Sequence, residues 1–473
     1  MVGITSVGAY LPIYRLNREE IAKAWAGRSA GGAKAVAGYD EDTVTMAVAA
    51  ALDCLGRSGG KADGLSLATT TAPYQEKQSA AIVASAADLA AGCHTADITD
   101  SLRAPAIALK SAIDAVRAGS AQNVIVAAGD TRPAAARGTL EQTLGDGAAA
   151  LMVGSEGVIA EVEGSYSIFN DFTDYWRIEG ETFIRAAEGR FIDEAGYLPT
   201  MQSVISGLLA KYKLAIGDFA RVVYYAADAR QHAALARRLK LDKAQVQDTL
   251  YNDIGNTGTA SPLLMLAATL ETARPGDRIL LAGYGDGADA FILRVTDEIR
   301  KIQKHPIISD KLAGKTPISY GQYLTWRGLV PAEASTLPER SPLSLQNRWR
   351  ERKVISALYG VRCQACGTPQ LSQIGQALRV CVNCQARDRF EDYKFSDKKG
   401  RLFSYAIDQL QPTLNPPGVN GVVDFDGGGR LICELTDCDL DKVRVGMPVA
   451  MTFRKMYQLR GLVNYFWKAR PAE

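Results

Sequence analysis

Two stretches, GDGAAALMV at 145–153 and GDGADAFIL at 285–293, open with the same four residues and then run into an apolar strand. Gly-Asp-Gly is ordinary turn chemistry, and a single copy would say little. Two copies, each near the end of a half of similar size, indicate an internal duplication. Whatever the first half builds, the second must build again.

Residues 1 to about 300 alternate apolar strand-like runs with Ala-rich amphipathic stretches. Strands are expected at 64–70, 123–128, 221–226 and 278–283, and helices at 43–55, 80–91, 106–118 and 262–272. This alternation predicts an α/β fold, duplicated and layered in the order α-β-α-β-α. The halves fall at about 1–160 and 161–300. Within the first half, a short strand at 96–99 runs into Ser101-Leu102-Arg103-Ala104-Pro105, where a helix begins with Pro105 in its first turn.

The 473 residues carry 54 Lys and Arg against 52 Asp and Glu, a net charge of +2 with no long run of one sign. That balance argues against a dedicated nucleic-acid binder. Residues 1–16 read as a strand and turn and not as a secretion signal, and no apolar stretch is long enough to span a bilayer. A cytoplasmic protein with no membrane partner is expected.

The eight cysteines divide into two groups. Cys54, Cys93, Cys433 and Cys438 are scattered, whereas Cys363, Cys366, Cys381 and Cys384 form two Cys-x-x-Cys knuckles 14 residues apart. Two such knuckles supply four thiolates to one tetrahedral site, which suits Zn2+. A closed four-sulfur shell leaves no open position, so the metal is expected to be structural. A redox dithiol, the competing reading, needs only one pair.

The tail has its own organisation. Residues 301–355 are basic, then Pro- and Ser-rich, and read as a linker with helical portions lying over a surface. A zinc ribbon is expected at 356–398 and a small β-barrel at 399–473, from short strand-like segments at 401–408, 421–425, 430–435 and 448–454.

Three segments carry a resemblance: FNDFTDYWRIEGETFIRAAEGRFIDEAGYLPTM (169–201), IGNTGTASPLLMLAATLE (254–271) and PGDRILLAGYGDGADAFIL (275–293). They resemble hydroxymethylglutaryl-CoA synthase, particularly its archaeal form, within the thiolase superfamily. Residues 400–453 are similar to the OB-fold that, with a zinc ribbon, accompanies many thiolase-like enzymes. The resemblance implies a thiolase-like fold, an acyl-CoA thioester as substrate, a homodimer or larger homo-oligomer, and a thiolase-like partner as a further possibility. The acidic DFDGGG and ELTDCDLD segments of the barrel argue against nucleic acid there.

In that family a cysteine takes the acyl group, a histidine polarises the acceptor thioester and a glutamate moves protons. Carried over residue by residue, the cysteine position falls on Leu102, or on Ser101 if the register slips by one. The glutamate position falls on Thr70 and the histidine position on Tyr225, while the asparagine, Asn256, remains. The resemblance therefore points to carbon–carbon bond formation or cleavage, Claisen or aldol in type, by a route that uses no cysteine.

An aldol route needs a base, donors for an enolate oxygen and a dry pocket, but no acyl-enzyme. The expected catalytic residues are Tyr225, Asn256 and Ser101, with Arg103 and Thr70 binding substrate. Tyr225 would move the proton if a neighbouring cation such as Arg103 lowered its pKa. Each has a plainer reading: Tyr225 as a core aromatic, Ser101 as a helix cap and Asp228 as the start of the next helix. His94 is expected in a turn, His232 in packing or solvent and His305 in solvent. Two other functions remain open: an acyltransferase with a serine nucleophile, and a non-catalytic scaffold bridging a thiolase partner.

Overall fold

Nine strands form one hydrogen-bonded sheet in the order Arg221–Tyr224, Arg278–Tyr284, Gly287–Val295, Ala160–Phe169, Gly3–Tyr10, Gly147–Gly154, Val124–Asp130, Gly64–Ala68 and His94–Ile98. The two halves meet at its centre, where Gly3 and Ile4 pair with Glu161 and Ala160 and nothing further. Outward from that join, the first four strands on each side follow the same sequence order, and the first half adds His94–Ile98 at its edge. The first strand of each half is followed by the strand after Gly-Asp-Gly, then by the strand before it, and so on. The duplication inferred from the repeated turns is the symmetry of the sheet.

This computed structural model describes residues 1–331, 344–372 and 377–472, and part of the Pro- and Ser-rich stretch lies outside them. The described chain divides into two compact units. The first comprises Met1–Gly38, Asp42–Ala84 and Leu89–Leu329, and the second Tyr39–Glu41, Ser85–Asp88 and Val330–Glu473.

In the first unit, the helices Ala104–Arg117 and Ser261–Thr272 each touch strands of both halves and carry the central layer of the core. Their inward residues, such as Leu109, Ile113, Leu263 and Leu266, are buried with Val126, Leu151, Leu281 and Leu293 from the strands. The helix Thr43–Ser58 covers the outer face of the first half and Leu198–Tyr212 that of the second, which completes the α-β-α-β-α order. The outer helix lies close because Gly8 has no side chain: a Cβ there would stand 2.3 Å from the Ala50 carbonyl oxygen.

Val124–Asp130 is buried along its whole length, as a strand covered by helices on both faces must be. Asp130 at its end is therefore a buried carboxylate on an otherwise apolar strand.

Some sequence expectations are corrected. The helix expected at 80–91 is Ser79–Ala86, and His94 is the exposed first residue of a strand and not a turn residue. The segment read as a linker folds into the first unit as far as residue 329, with Ile299, Ile302, Ile307 and Ile308 in its core. The local sequence HPIISDK is dominated by charge, which hid the isoleucine pair.

The second unit holds a three-stranded ribbon, with Tyr359–Cys363 between Pro369–Gln370 and Phe390–Lys394. Beyond it, five strands run in the order Arg430–Glu434, Gly418–Phe425, Lys399–Asp408, Pro448–Leu459 and Leu462–Pro471. A bridge from Leu435 to Ala469 links the two ends of that order, closing a small barrel. Among the described residues no helix is long and apolar enough to cross a membrane.

Candidate active site and thiolate cluster

Several buried polar side chains lie at the carboxyl ends of the parallel strands and in the turns beside them. This is where open α/β sheets leave room for ligands. Tyr225 follows Arg221–Tyr224, Tyr284 ends its strand, Asp130 ends Val124–Asp130, and Thr69 to Thr71 follow Gly64–Ala68.

Tyr225 is 1% exposed. Asn256 Nδ2 donates to its hydroxyl at 2.9 Å and to the Ala227 carbonyl at 3.3 Å. The orientation of the amide is set by the Gly258 N–H, which donates to Asn256 Oδ1 at 2.9 Å. Both amide hydrogens of Asn256 are thus engaged. Because the Tyr225 oxygen already accepts, the hydroxyl is left free to donate its own hydrogen.

Burial raises the Tyr225 pKa above its ordinary value, while Arg132 and the Asn256 hydrogen bond pull the other way without cancelling it. The lowered tyrosine pKa expected from the sequence is not what the structure has. The cation acting on Tyr225 is Arg132. Arg103 instead donates to the Ile168 carbonyl at 2.7 Å and faces Asp289 at 3.9 Å.

Asp130 organises the floor of the site. Its Oδ1 accepts from Thr69 Oγ1 at 2.9 Å, Thr70 N at 2.8 Å, Thr70 Oγ1 at 3.2 Å and Thr71 Oγ1 at 2.9 Å. Its Oδ2 accepts from Thr259 N at 2.8 Å. Thr70 is thus held through this carboxylate.

The turn at Gly258 needs a left-handed backbone, φ +61°, and a Cβ there would stand 2.3 Å from Asp130 Oδ2 and 2.8 Å from Arg132 Cδ. Arg132 lies 5.5 Å over the Tyr175 ring, and the Tyr225 and Tyr284 rings stack at 6.4 Å. The Asp174 carboxyl lies beside the Tyr284 hydroxyl and is raised above the usual carboxylate range by burial.

Leu102 is buried in the apolar cluster that contains Tyr225 and Tyr284. Ser101 Oγ accepts from Arg103 N at 3.4 Å, but the helix starts at Ala104 with no side-chain cap. A Cβ on Gly285, in the second Gly-Asp-Gly, would meet Ser101 Oγ at 2.7 Å, so this turn seats against the residues before the helix.

The structure brings Tyr225, Asn256 and Leu102 together, with Thr70 joined through Asp130. Sequence reasoning missed Asp130, Arg132, Asp174 and Tyr284. For Asp130 and Tyr284 the available signal was a polar residue closing an otherwise apolar strand, as in VIVAAGD and RILLAGY, whereas Arg132 and Asp174 lie in loops with no such mark.

None of the histidines supplies a base beside Ser101. His94 is exposed, and His232 stacks on Tyr224 at 4.3 Å with burial lowering its pKa to about 4. His305 is exposed, its carbonyl accepting from Arg57. Asp228 caps Ala229–Arg238 by accepting from Gln231 N at 2.7 Å. Cys54 lies on the buried face of the outer helix Thr43–Ser58, its thiol pushed up to about 12.

In the second unit the four ribbon thiols lie within 4.8 Å of one another, with Cys363–Cys384 at 3.7 Å and Cys366–Cys381 at 3.6 Å. A disulfide would need about 2.05 Å. Metal–sulfur bonds of about 2.3 Å in a tetrahedron give sulfur–sulfur edges of about 3.8 Å. The donor set and its spacing fit a thiophilic tetrahedral ion.

The two-part symmetry, the buried central helices and the polar cluster at the strand ends define a thiolase-like protein. Residues 209–295 match the C-terminal domain of 3-oxoacyl-[acyl-carrier-protein] synthase III, and residues 393–454 match the C-terminal OB-fold domain of ChsH2. The chain belongs to the hydroxymethylglutaryl-CoA synthase family. It is 34% identical over 344 residues to the hydroxymethylglutaryl-CoA synthase of Pyrobaculum arsenaticum, covering 70% of this chain and 98% of that protein. With the Archaeoglobus fulgidus enzyme it shares 33% over 345 residues, covering 70% and 100%.

Among solved structures, an HMG-CoA synthase complexed with CoA superposes with a TM-score of 0.63 at 23% identity, covering 68% of this chain and 89% of that one. The 3-oxoacyl-(acyl carrier protein) synthase III of Pseudomonas aeruginosa gives 0.58 at 20%, covering 62% and 98%.

Proposed function

We propose that the protein makes or breaks a carbon–carbon bond in an acyl-CoA thioester, by an aldol- or Claisen-type route with no acyl-enzyme. The observation that carries this reading is the Tyr225 hydroxyl. It is buried, kept protonated by its surroundings and oriented by Asn256, with its hydrogen free to donate. Such a donor suits an oxygen that gains negative charge as an enolate forms, and the Arg132 charge beside it favours the same change.

Asn256 is then a positioning residue. It acts through Tyr225, since both of its amide hydrogens are in use. The position at the head of the buried helix is occupied by Leu102, which carries no nucleophile, and this supports a route without covalent capture. In the second unit Cys363, Cys366, Cys381 and Cys384 would hold zinc, which supplies a rigid cross-link between the two knuckles. The expected assembly is a homodimer, for which the edge strand His94–Ile98 offers an unpaired side.

The test is mass spectrometry of the purified chain mixed with short, branched and aromatic acyl-CoA thioesters, reading both small molecules and intact protein. New thioester products without a protein adduct support the reading. An acyl adduct on Ser101 would replace it with a serine acyltransferase. No turnover, together with stable capture of a thiolase-like protein, would replace it with a scaffold.

A further inference from the structure

A tyrosine that keeps its proton donates, so the reaction proposed above takes its base from elsewhere. Two carboxylates are buried in the cluster around Tyr225. Asp130 has its acceptor positions filled by three threonine hydroxyls and two backbone N–H groups. It anchors loops of both halves, and both of its oxygens are already engaged, Oδ1 by the threonines and Oδ2 by the Thr259 N–H.

Asp174 is different. Its Oδ1 accepts from the Tyr175 N–H at 2.6 Å, while its Oδ2, in a residue only 7% exposed, meets no donor in full hydrogen-bond geometry among the described residues, although the Tyr284 hydroxyl beside the carboxyl interacts with it. Arg132 Nε is without a partner among the described residues, at 6% exposure. An acceptor only partly engaged and a free donor, both buried, share one cluster with a tyrosine that has a hydrogen to give. Buried polar groups are normally paired, and unpaired ones mark a place where a ligand completes the set.

We propose that Asp174 is the catalytic base of this site, acting on the 3-hydroxyacyl thioester chemistry of the reading above. The inference rests on the carbon–carbon bond reading above. In cleavage, Asp174 Oδ2 takes the proton of the 3-hydroxyl group, and the O–H electron pair becomes the second bond of a carbonyl. The bond between C2 and C3 breaks, and its pair moves to C2 as a thioester enolate whose oxygen accepts from Tyr225. Asp174 then returns the proton to C2, releasing a ketone or aldehyde and the shortened thioester. One proton is taken and one is given back, and no redox partner is required. Synthesis is the same path reversed, beginning with removal of a C2 proton.

Around Asp174 stand the Tyr284 hydroxyl, the Asp286 carboxylate from the second Gly-Asp-Gly turn, and Tyr175 on its own hairpin. Arg132, Tyr225, Asp130 and Asp228 are the further charged and titratable groups of the cluster. Burial, the largest influence, keeps the carboxyl proton affinity above that of a free aspartate, which suits a group that must both take and return a proton.

The test uses the full chain in D2O with two probes: acetyl-CoA, scored for deuterium at C2, and 3-hydroxy-3-methylglutaryl-CoA, scored for cleavage. Wild type, Asp174→Asn and Asp174→Glu are compared across pH, with thermal unfolding as the check on folding. The expected result is exchange or cleavage that rises with pH through one ionisation in wild type. Asp174→Asn should lose about a hundredfold or more together with that acidic limb, and Asp174→Glu should restore part of both. A wild type that reacts and an Asp174→Asn that keeps its rate and pH profile would overturn the assignment of Asp174 alone. A wild type inert toward both probes and toward the wider acyl-CoA panel would overturn the carbon–carbon bond reading and this inference with it.

Discussion

Asn256 Nδ2 lies 2.9 Å from the Tyr225 hydroxyl oxygen, joining the end of one strand to the turn that precedes the buried helix Ser261–Thr272. The bond sets the direction of the tyrosine proton. Removing either partner should therefore affect chemistry more than folding.

Tyr225→Phe keeps the ring stacked against Tyr284 and removes only the hydroxyl. Turnover of a reacting acyl-CoA should fall by about 10²–10³-fold, the range for a lost oxyanion donor. The unfolding free energy should change by only about 1 kcal/mol. Steady-state kinetics beside thermal unfolding measures both, and full activity in the variant would contradict the proposed role.

Gly258→Ala places a methyl group against Asp130 and Arg132 and forces an L-residue into the left-handed region. The backbone alone costs about 1–2 kcal/mol. Displacing Asp130 should lower activity well beyond what that loss of stability explains. Denaturant unfolding and kinetics on the same preparation separate the two effects.

The ribbon makes a prediction confined to the second unit. Purified protein should hold one zinc per chain by elemental analysis, and Cys363→Ser should lose it. Hydrogen exchange should then accelerate across 359–394 while the strand Val124–Asp130 keeps its protection. Unchanged protection across the ribbon after metal loss would remove zinc from the account.

His232 gives a pH-dependence. Burial lowers its pKa from 6.5 to about 4, so the folded protein favours the neutral ring. Its contribution is complete above about pH 6.5 and is lost as pH falls toward 4, amounting to at most about 3 kcal/mol. His232→Phe retains a ring on Tyr224 and does not titrate. Unfolding midpoints from pH 7.5 down to 4.5 should fall more steeply for wild type than for the variant, and parallel curves would count against the argument.

Much of the architecture was legible because it is written locally. The repeated Gly-Asp-Gly turns announced the duplication, and the knuckle spacing of Cys363, Cys366, Cys381 and Cys384 announced a shared site. Tyr225 and Asn256 were legible through the resemblance, position by position. The remainder of the site was not, for a physical reason: Asp130, Asp174, Arg132 and Tyr284 come from separate strand ends and a hairpin, and no spacing along the chain relates them. Arg103 misled because it follows the helix-head position directly, yet its side chain turns toward Ile168 and Asp289.

Asp130 takes hydrogen bonds from Thr69, Thr70 and Thr71 in the first half and from Thr259 in the second. The halves of a duplicated protein are ordinarily free to drift apart, because each folds around its own residues. At this carboxylate that freedom ends. A change that shifts the first-half loop moves the anion, and with it the turn carrying Asn256. Substitutions accepted in one half should therefore come with answering changes in the other, so that across natural variants these five positions vary as one unit.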